Sequence, residues 1–500
     1  MLVARASKDS ELFLGIISTV GTDVEEVIKD LRDQLSFYSY ETEVISVSRD
    51  IISQFETELT SEWPSEFERI SHYMDMGNKI RKDTDDNSIL MKGVARQLYL
   101  SRASDDNGFP KPRKRVAYII KSLKHPDEVD FMRETYGDGF HLIGITSSYA
   151  RRLKNLMDRR GLTEERAREL LERDSNEDSK QGQHTRDAFQ HSDYFICTTE
   201  DSDQIFNSVD RLIELLFGNP FISPNFDEYA MFMAYAASLR SADLSRQIGA
   251  VVARDNEILS MGTNDCPRFG GGLYWPLLKK HGEYVDVPNG RDYTLGYDSN
   301  KKEQQQIITK LLSDFGIDLT AENIQKAKNS GIGDLTEYGR VVHGEMEALL
   351  SCARNNISCR NATLYATTFP CHNCAKHIIA AGIKRVVYIE PYPKSKAFAF
   401  YKVEISDSID DDQKVVFQPF TGVGPQRFID LFSVSSTRWY AKKRKDKDGN
   451  KLDWKKETAE LRNPSILLNY LDAEQTALLS FEDETVALSL QIKSQAPKRA

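Results

Sequence analysis

Short apolar runs, each followed by amphipathic sequence, recur through the first half of the chain: LFLGII (12–17), VISV (44–47), VAYII (116–120), HLIGIT (141–146) and YFICTT (194–199). Such alternation predicts a parallel sheet with helices on both faces. NPFISP (219–224), with two prolines among turn-forming residues, breaks the pattern and reads as a domain junction. Beyond it, FDEYAMFMAYAASLRSA (226–242) predicts a long buried helix, and IGAVVA (248–253) and ILSMG (258–262) predict two strands. A polar, Gly-rich insertion at about 266–340 precedes a helix at EMEALLSCAR (345–354). A strand at TLYATT (363–368), a helix from Cys371 to Ala381 and a strand at RVVYIE (385–390) complete a second α/β layer. The expected organisation is therefore two α/β domains, residues 1–221 and 222–500.

A chain of 500 residues exceeds what one hydrophobic core organises, which agrees with two domains. No apolar run approaches the roughly 20 residues needed to cross a bilayer, and the first residues carry no secretory pattern. Six cysteines, only two of them closely paired, do not resemble a disulfide framework, so a cytoplasmic protein is expected. The net charge of −10 argues against a broad surface for nucleic acid. KPRKR (111–115) and KKRKDKDGNK (442–451) are short basic stretches that read as solvated loops.

The chemistry concentrates in His343-Gly344-Glu345 and Pro370-Cys371-His372-Asn373-Cys374. Two thiolates separated by two residues, with one imidazole, fill three corners of a tetrahedral Zn²⁺ shell and leave the fourth for water, the pattern of a catalytic site. Pro370 stands where a helix would begin, so Cys371 and Cys374 share a face of its first turn, where the helix dipole favours thiolates. Glu345, close to the metal without binding it, is placed to carry protons. This HxE and PCxxC pairing is the signature of zinc nucleobase deaminases. A structural zinc would need a second cysteine pair, and Cys352 and Cys359 are poorly spaced for one. A redox pair would leave His343 and Glu345 unexplained. Cys197, Cys266, Cys352 and Cys359 are expected to be buried as small hydrophobes.

EYAMFMAYAASLRSADLSRQIGAVV, GTNDCPRFGGGLYW, EYGRVVHGEMEALL and TTFPCHNCAKHIIAAGIKRVVYIEPYPKS resemble deoxycytidylate deaminases of the cytidine deaminase superfamily. Together with LGIISTVGTD (14–23), RISHYMDMGNKIR (69–81), SLKHPDEVDFMRETYGDGF (122–140) and RDSNEDSKQGQHTRDAF (173–189), they are most similar to two-domain bacterial anti-phage dCTP deaminases. That resemblance implies a P-loop-kinase-like N-terminal domain and a C-terminal domain that deaminates dCTP and dCMP, draining the dCTP pool during infection. It assigns zinc to His343, Cys371 and Cys374, proton transfer to Glu345, and a sugar contact to Asn264. Arg340, Tyr392, Lys394 and Ser395 are further candidates for phosphate or base contacts, each of which could equally be a loop or surface residue. It also implies a homo-oligomer, as in hexameric relatives, an allosteric deoxynucleotide and a regulatory RNA, the last without support from the acidic charge.

The N-terminal loop departs from a working phosphate-transfer motif. Gly15 is followed by Val20 where a second glycine belongs, Gly21 comes one place late, and Thr22-Asp23 replace the lysine and hydroxyl. Gly15, Gly21, Thr22 and Asp23 are thus candidates for sensing a nucleotide without transferring its phosphate. The rival functions are deamination of tRNA or another polynucleotide, which requires a basic channel, and a non-catalytic nucleotide sensor with structural zinc.

Overall fold

The computed structural model describes residues 9–55, 63–104, 110–176, 184–198, 202–390, 395–409, 411–434, 443–463, 470–482 and 484. They form two compact units, one of residues 1–224 with 421–500 and the other of residues 225–420.

The first unit is built on five parallel strands: β1 (Leu12–Ser18), β2 (Glu41–Ser46), β3 (Val116–Leu123), β4 (Phe140–Thr146) and β5 (Tyr194–Cys197). Their order is β5-β4-β1-β3-β2, with Leu14 of β1 level with Ile119 and His141 on either side. Central β1 is apolar up to its last residue, Ser18, because both of its faces are covered. Helices α1 (Glu25–Phe37), α2 (Glu66–Thr84), α3 (Ile89–Ser101), α4 (Pro126–Tyr136), α5 (Tyr149–Asp158), α6 (Glu164–Asn176), α7 (Thr185–Phe189) and α8 (Ser202–Leu216) surround the sheet. The alternating pattern read from the sequence is therefore realised as a parallel sheet.

The second unit begins at Asn225, which caps α9 (Phe226–Ser238) in a reciprocal pair with Glu228. Its sheet uses β6 (Gly249–Arg254) and β7 (Glu257–Thr263) as an antiparallel hairpin, with β10 (Thr363–Thr368) antiparallel to β6. Strands β11 (Arg385–Glu390), β13 (Val415–Pro419) and β12 (Ile405–Ser406) then continue parallel to β10. Helices α13 (Gly344–Arg354) and α14 (His372–Ala380) carry the sequence motifs. Gly262 of β7 lets α13 approach closely, since a Cβ there would stand 2.2 Å from the Gly344 carbonyl oxygen. The insertion has structure of its own: the hairpin β8 (Leu277–Leu278) and β9 (Tyr284–Val285), then α10 (Asp292–Leu295), α11 (Ser299–Asp314) and α12 (Ala321–Asn329). Ile308, Leu312 and Ala327 give it a small core, which explains how so polar a stretch is ordered.

The expected second domain of 222–500 is corrected at its far end, because the chain after Phe420 packs with the first unit. Strand β14 (Gly422–Val423) pairs antiparallel with the exposed edge of β5, and Arg427 binds the buried carboxylate of Asp193 at 3.1 Å. Further on, Tyr470 and Glu474 enter a buried cluster with Glu11, Arg102, Tyr118 and Tyr136. An open strand edge and a buried arginine both require partners, and this segment supplies them. The first basic stretch is partly neutralised: Arg113 pairs with Glu41 and Glu43, and Arg115 with Asp9. Lys442 lies outside the described residues. Among the described residues no helix is long and apolar enough to cross a membrane.

Candidate metal centre

Two helix N-termini face each other across the site. His343 is the N-cap of α13, and Cys371, rather than Pro370, is the N-cap of α14, with Cys374 one turn on. The Nδ1 of His343 lies 3.4 Å from the Cys371 Sγ and 3.3 Å from the Cys374 Sγ. Ligands on a tetrahedral zinc stand about 3.5 Å apart for the usual Zn–N and Zn–S bonds, so the three atoms fit that ion. Among the described residues theirs is the one cluster of such groups whose atoms all lie within 4.8 Å.

The electrostatics point the same way. Hydrogen bonds from Cys374 and His343 hold the Cys371 thiol down to about 4, while that bond to Cys371 lifts His343 to about 9. Cys374 is pushed well above the ordinary thiol range, first by its hydrogen bond to Cys371 and then by burial. The three groups thus compete for protons in the place where a dication would bind in their stead. Glu345, on the first turn of α13, is 3% exposed, and its Oε2 has no hydrogen-bond partner among the described residues. Burial raises its pKa above the usual carboxylate range, opposed by the neighbouring His343. A buried acid oxygen left without a partner beside a metal cluster is poised to exchange a proton with something that enters the site.

The other candidates are distributed differently. The Asn264 side chain accepts from the Ile248 N–H and donates to the Arg246 carbonyl, each at 2.7 Å, so it braces the loop before β6. Arg340 is spent on the insertion, donating to Asp292 at 3.1 Å and to the Asn289 and Gly290 carbonyls at 3.0 Å. Ser395 donates to the Pro370 carbonyl at 2.9 Å and steadies the backbone ahead of Cys371. Tyr392 and Lys394 lie outside the described residues.

In the first unit Gly15 does not belong to the loop. It sits inside β1, where a Cβ would stand 2.7 Å from the Phe140 ring, so its role is packing. Gly21 has φ of +82°, and Thr22 and Asp23 follow it along the rim of a cavity.

Sequence reasoning missed the loop before β6. Asp243 contributes to the charge felt by His343, and Arg246 binds Glu390 at 2.7 Å while Thr368 donates to the same carboxylate. No local pattern marks these residues as part of the site. The insertion reaches the site as well, through Asn373, which donates to Thr336 at 3.2 Å.

The family profile described as the cytidine and deoxycytidylate deaminase zinc-binding region matches residues 224–390. Deoxycytidylate deaminase of Enterobacteria phage T4 is 30% identical over 166 residues, 33% of this chain and 77% of that protein. The chain belongs to the deoxycytidylate deaminase family. The phage T2 deoxycytidylate deaminase is 32% identical over 164 residues, covering 33% of the chain and 79% of that protein. A solved dCMP deaminase of cyanophage S-TIM5, crystallised with dCMP and dUMP, is 19% identical and covers 40% of the chain and 99% of its own, with a TM-score of 0.23. The family match and the His–Cys–Cys cluster agree on Zn²⁺ as the cofactor and on a nucleotide deaminase.

Proposed function

We propose that the second unit hydrolyses the 4-amino group of a free deoxycytidine nucleotide, dCMP as in its relatives and dCTP as well, giving the deoxyuridine nucleotide and ammonia. The observation that carries this reading is the partnerless Glu345 oxygen beside His343, Cys371 and Cys374. When bound to these three residues, zinc supplies a Lewis acid that makes water nucleophilic near neutral pH. Glu345 takes one proton from the attacking water and delivers it to the ring nitrogen, then carries the remaining hydroxyl proton to the amine as the C–N bond breaks, leaving the carbonyl and ammonia. The insertion and the loop before β6 wall the site, with Asn264 setting that loop and contacting the sugar.

Supporting a free nucleotide over a polynucleotide, Arg113 and Arg115 of the basic stretch are already paired with carboxylates. The further reading is that the enzyme drains dCTP in antiviral defence, as a cytoplasmic homo-oligomer of hexameric type. Control by an allosteric deoxynucleotide or a regulatory RNA belongs to the same reading. Purified zinc-loaded protein incubated with dCTP, dCMP, CTP and deoxycytidine is expected to release ammonia and a uracil product from the deoxynucleotides, and Glu345→Ala is expected to release neither. No product from any of the four substrates would refute the assignment.

A further inference from the structure

The loop before β6 carries a guanidinium for which the metal centre itself has no use. Arg246, half exposed, donates from Nη1 to the Glu390 Oε1 at 2.7 Å. Glu390 is buried at the end of β11, and its other oxygen accepts the hydroxyl of Thr368, at the end of β10, at 2.9 Å. The carboxylate therefore fixes the direction of the guanidinium while leaving most of its donors unspent. Nε and Nη2, the side fork that can grip two oxygens of one phosphate, have no partner among the described residues. Arg340 and Arg354, by contrast, are already occupied by Asp292 and Glu347.

The metal cluster, Asn264 and Arg246 follow one another along one wall of the site. The Ile248 carbonyl lies so close to α13 that a Cβ on Gly344, between His343 and Glu345, would stand 2.8 Å from it. Asn264 holds the Ile248 N–H on one side and the Arg246 carbonyl on the other. On the facing wall the Phe369 N–H donates to the Glu390 carbonyl at 2.8 Å, and the chain runs from there straight into Pro370 and Cys371. The loop is held in place as well. Asp243 accepts the Ser245 and Arg246 N–H groups at 2.8 and 3.0 Å, so its own charge is engaged, and the Ser245 hydroxyl reaches Asp298 of the insertion at 3.4 Å. A nucleotide has the same order of parts. With its base at Glu345 and its sugar at Asn264, its phosphate extends toward Arg246, where an oriented fork meets a dianion.

We propose that Arg246 binds the phosphate nearest the sugar and so makes the site select nucleotides over nucleosides, with Glu390 as the positioning residue that aims its fork. This inference rests on the deaminase reading of the metal centre.

The test uses the full-length, zinc-loaded protein with dCMP, dCTP and deoxycytidine as substrates and dUMP as a calorimetric titrant. Arg246→Ala is expected to lower kcat/KM for both nucleotides by at least about tenfold, mostly through KM, and to weaken dUMP binding by a similar factor. The ratio of dCMP to deoxycytidine efficiency should narrow with it. Arg246→Lys, which keeps the charge and loses the fork, should restore only part of the nucleotide preference. Glu390→Gln should raise the nucleotide KM with a smaller effect on kcat, and an unchanged KM in that variant overturns the positioning role. Nucleotide kinetics and dUMP affinity within about twofold of wild type in Arg246→Ala overturn the proposal. An equal loss for dCMP and deoxycytidine overturns it too, since Arg246 would then only brace the loop. Wild-type protein that yields no product from any substrate refutes the deaminase reading itself, and this proposal with it.

Discussion

At the scale of single residues, the division of labour in the metal centre follows from where each atom is left. His343, Cys371 and Cys374 point their ligand atoms at one another, whereas Glu345 is buried next to them with an oxygen that bonds to nothing described. Glu345→Gln preserves size and polarity but cannot carry a proton. Deamination is therefore expected to fall by about 10²–10⁴-fold with zinc content unchanged, which ammonia release and metal analysis on the same sample would establish. Cys374→Ala removes a ligand and is expected to lose the metal itself. These two outcomes separate proton carrier from ligand. Asn264, by contrast, acts on the loop through two bonds, and Asn264→Ala should lower stability by about 1–3 kcal/mol in urea melts as well as raising KM.

At the scale of elements, the site depends on how closely two helices can be brought to the sheet. His343 and Cys371 are both N-caps, so a shift of either helix moves a ligand directly. Strand β7 controls α13: a methyl group on Gly262 would stand 2.2 Å from the Gly344 carbonyl oxygen and 2.3 Å from the Ala348 nitrogen, both backbone atoms that cannot rotate away. Gly262→Ala is expected to cost about 1–3 kcal/mol and to reduce activity through displacement of Glu345, although the residue touches no substrate. Calorimetric melting and the deamination rate of the same variant would measure both effects. The identity of β7 as a strand was legible from ILSMG, but the need for glycine at that place was not, because it comes from a helix more than eighty residues away.

At the scale of the whole molecule, the first unit is closed by a segment that returns after the second. Arg102 sits between Glu11 and Glu474, and all three side chains are fully buried. Two carboxyls share one guanidinium. Burial pushes Glu474 up to about 7, with Arg102 opposing, while Glu11 accepts from Arg102, Tyr118 and Tyr470. Between the ordinary glutamate range and about 7, the fold favours a proton on Glu474 that the unfolded chain releases. Its contribution to stability is accordingly complete at acid pH, below the ordinary glutamate range, and is lost as pH rises toward about 7. Urea midpoints compared at acid and neutral pH should show this loss, and Glu474→Gln should flatten it. Arg102→Met strands the acids, and a loss of about 3–5 kcal/mol is expected in the same measurement.

Features that depend on neighbours in the chain were determined by the sequence alone. The strands of the first sheet, the helices that carry the motifs, and the pairing of Cys371 with Cys374 follow from alternation, from capping and from the spacing of residues on one helical turn, whereas the meeting of His343 with that pair spans 28 residues and is tertiary. The physical reason is that periodicity and single-turn geometry are local. The tertiary structure alone decided what depends on distant partners: that the chain beyond Phe420 completes the first sheet, that Gly15 serves packing, and that Arg340 and Ser395 brace backbone. It also brought Lys124 and Asp174 to the loop after β1, though fifty residues separate them in the chain. Burial, counter-charge and close approach are properties of the folded chain, and a linear pattern does not encode which remote residue will meet them.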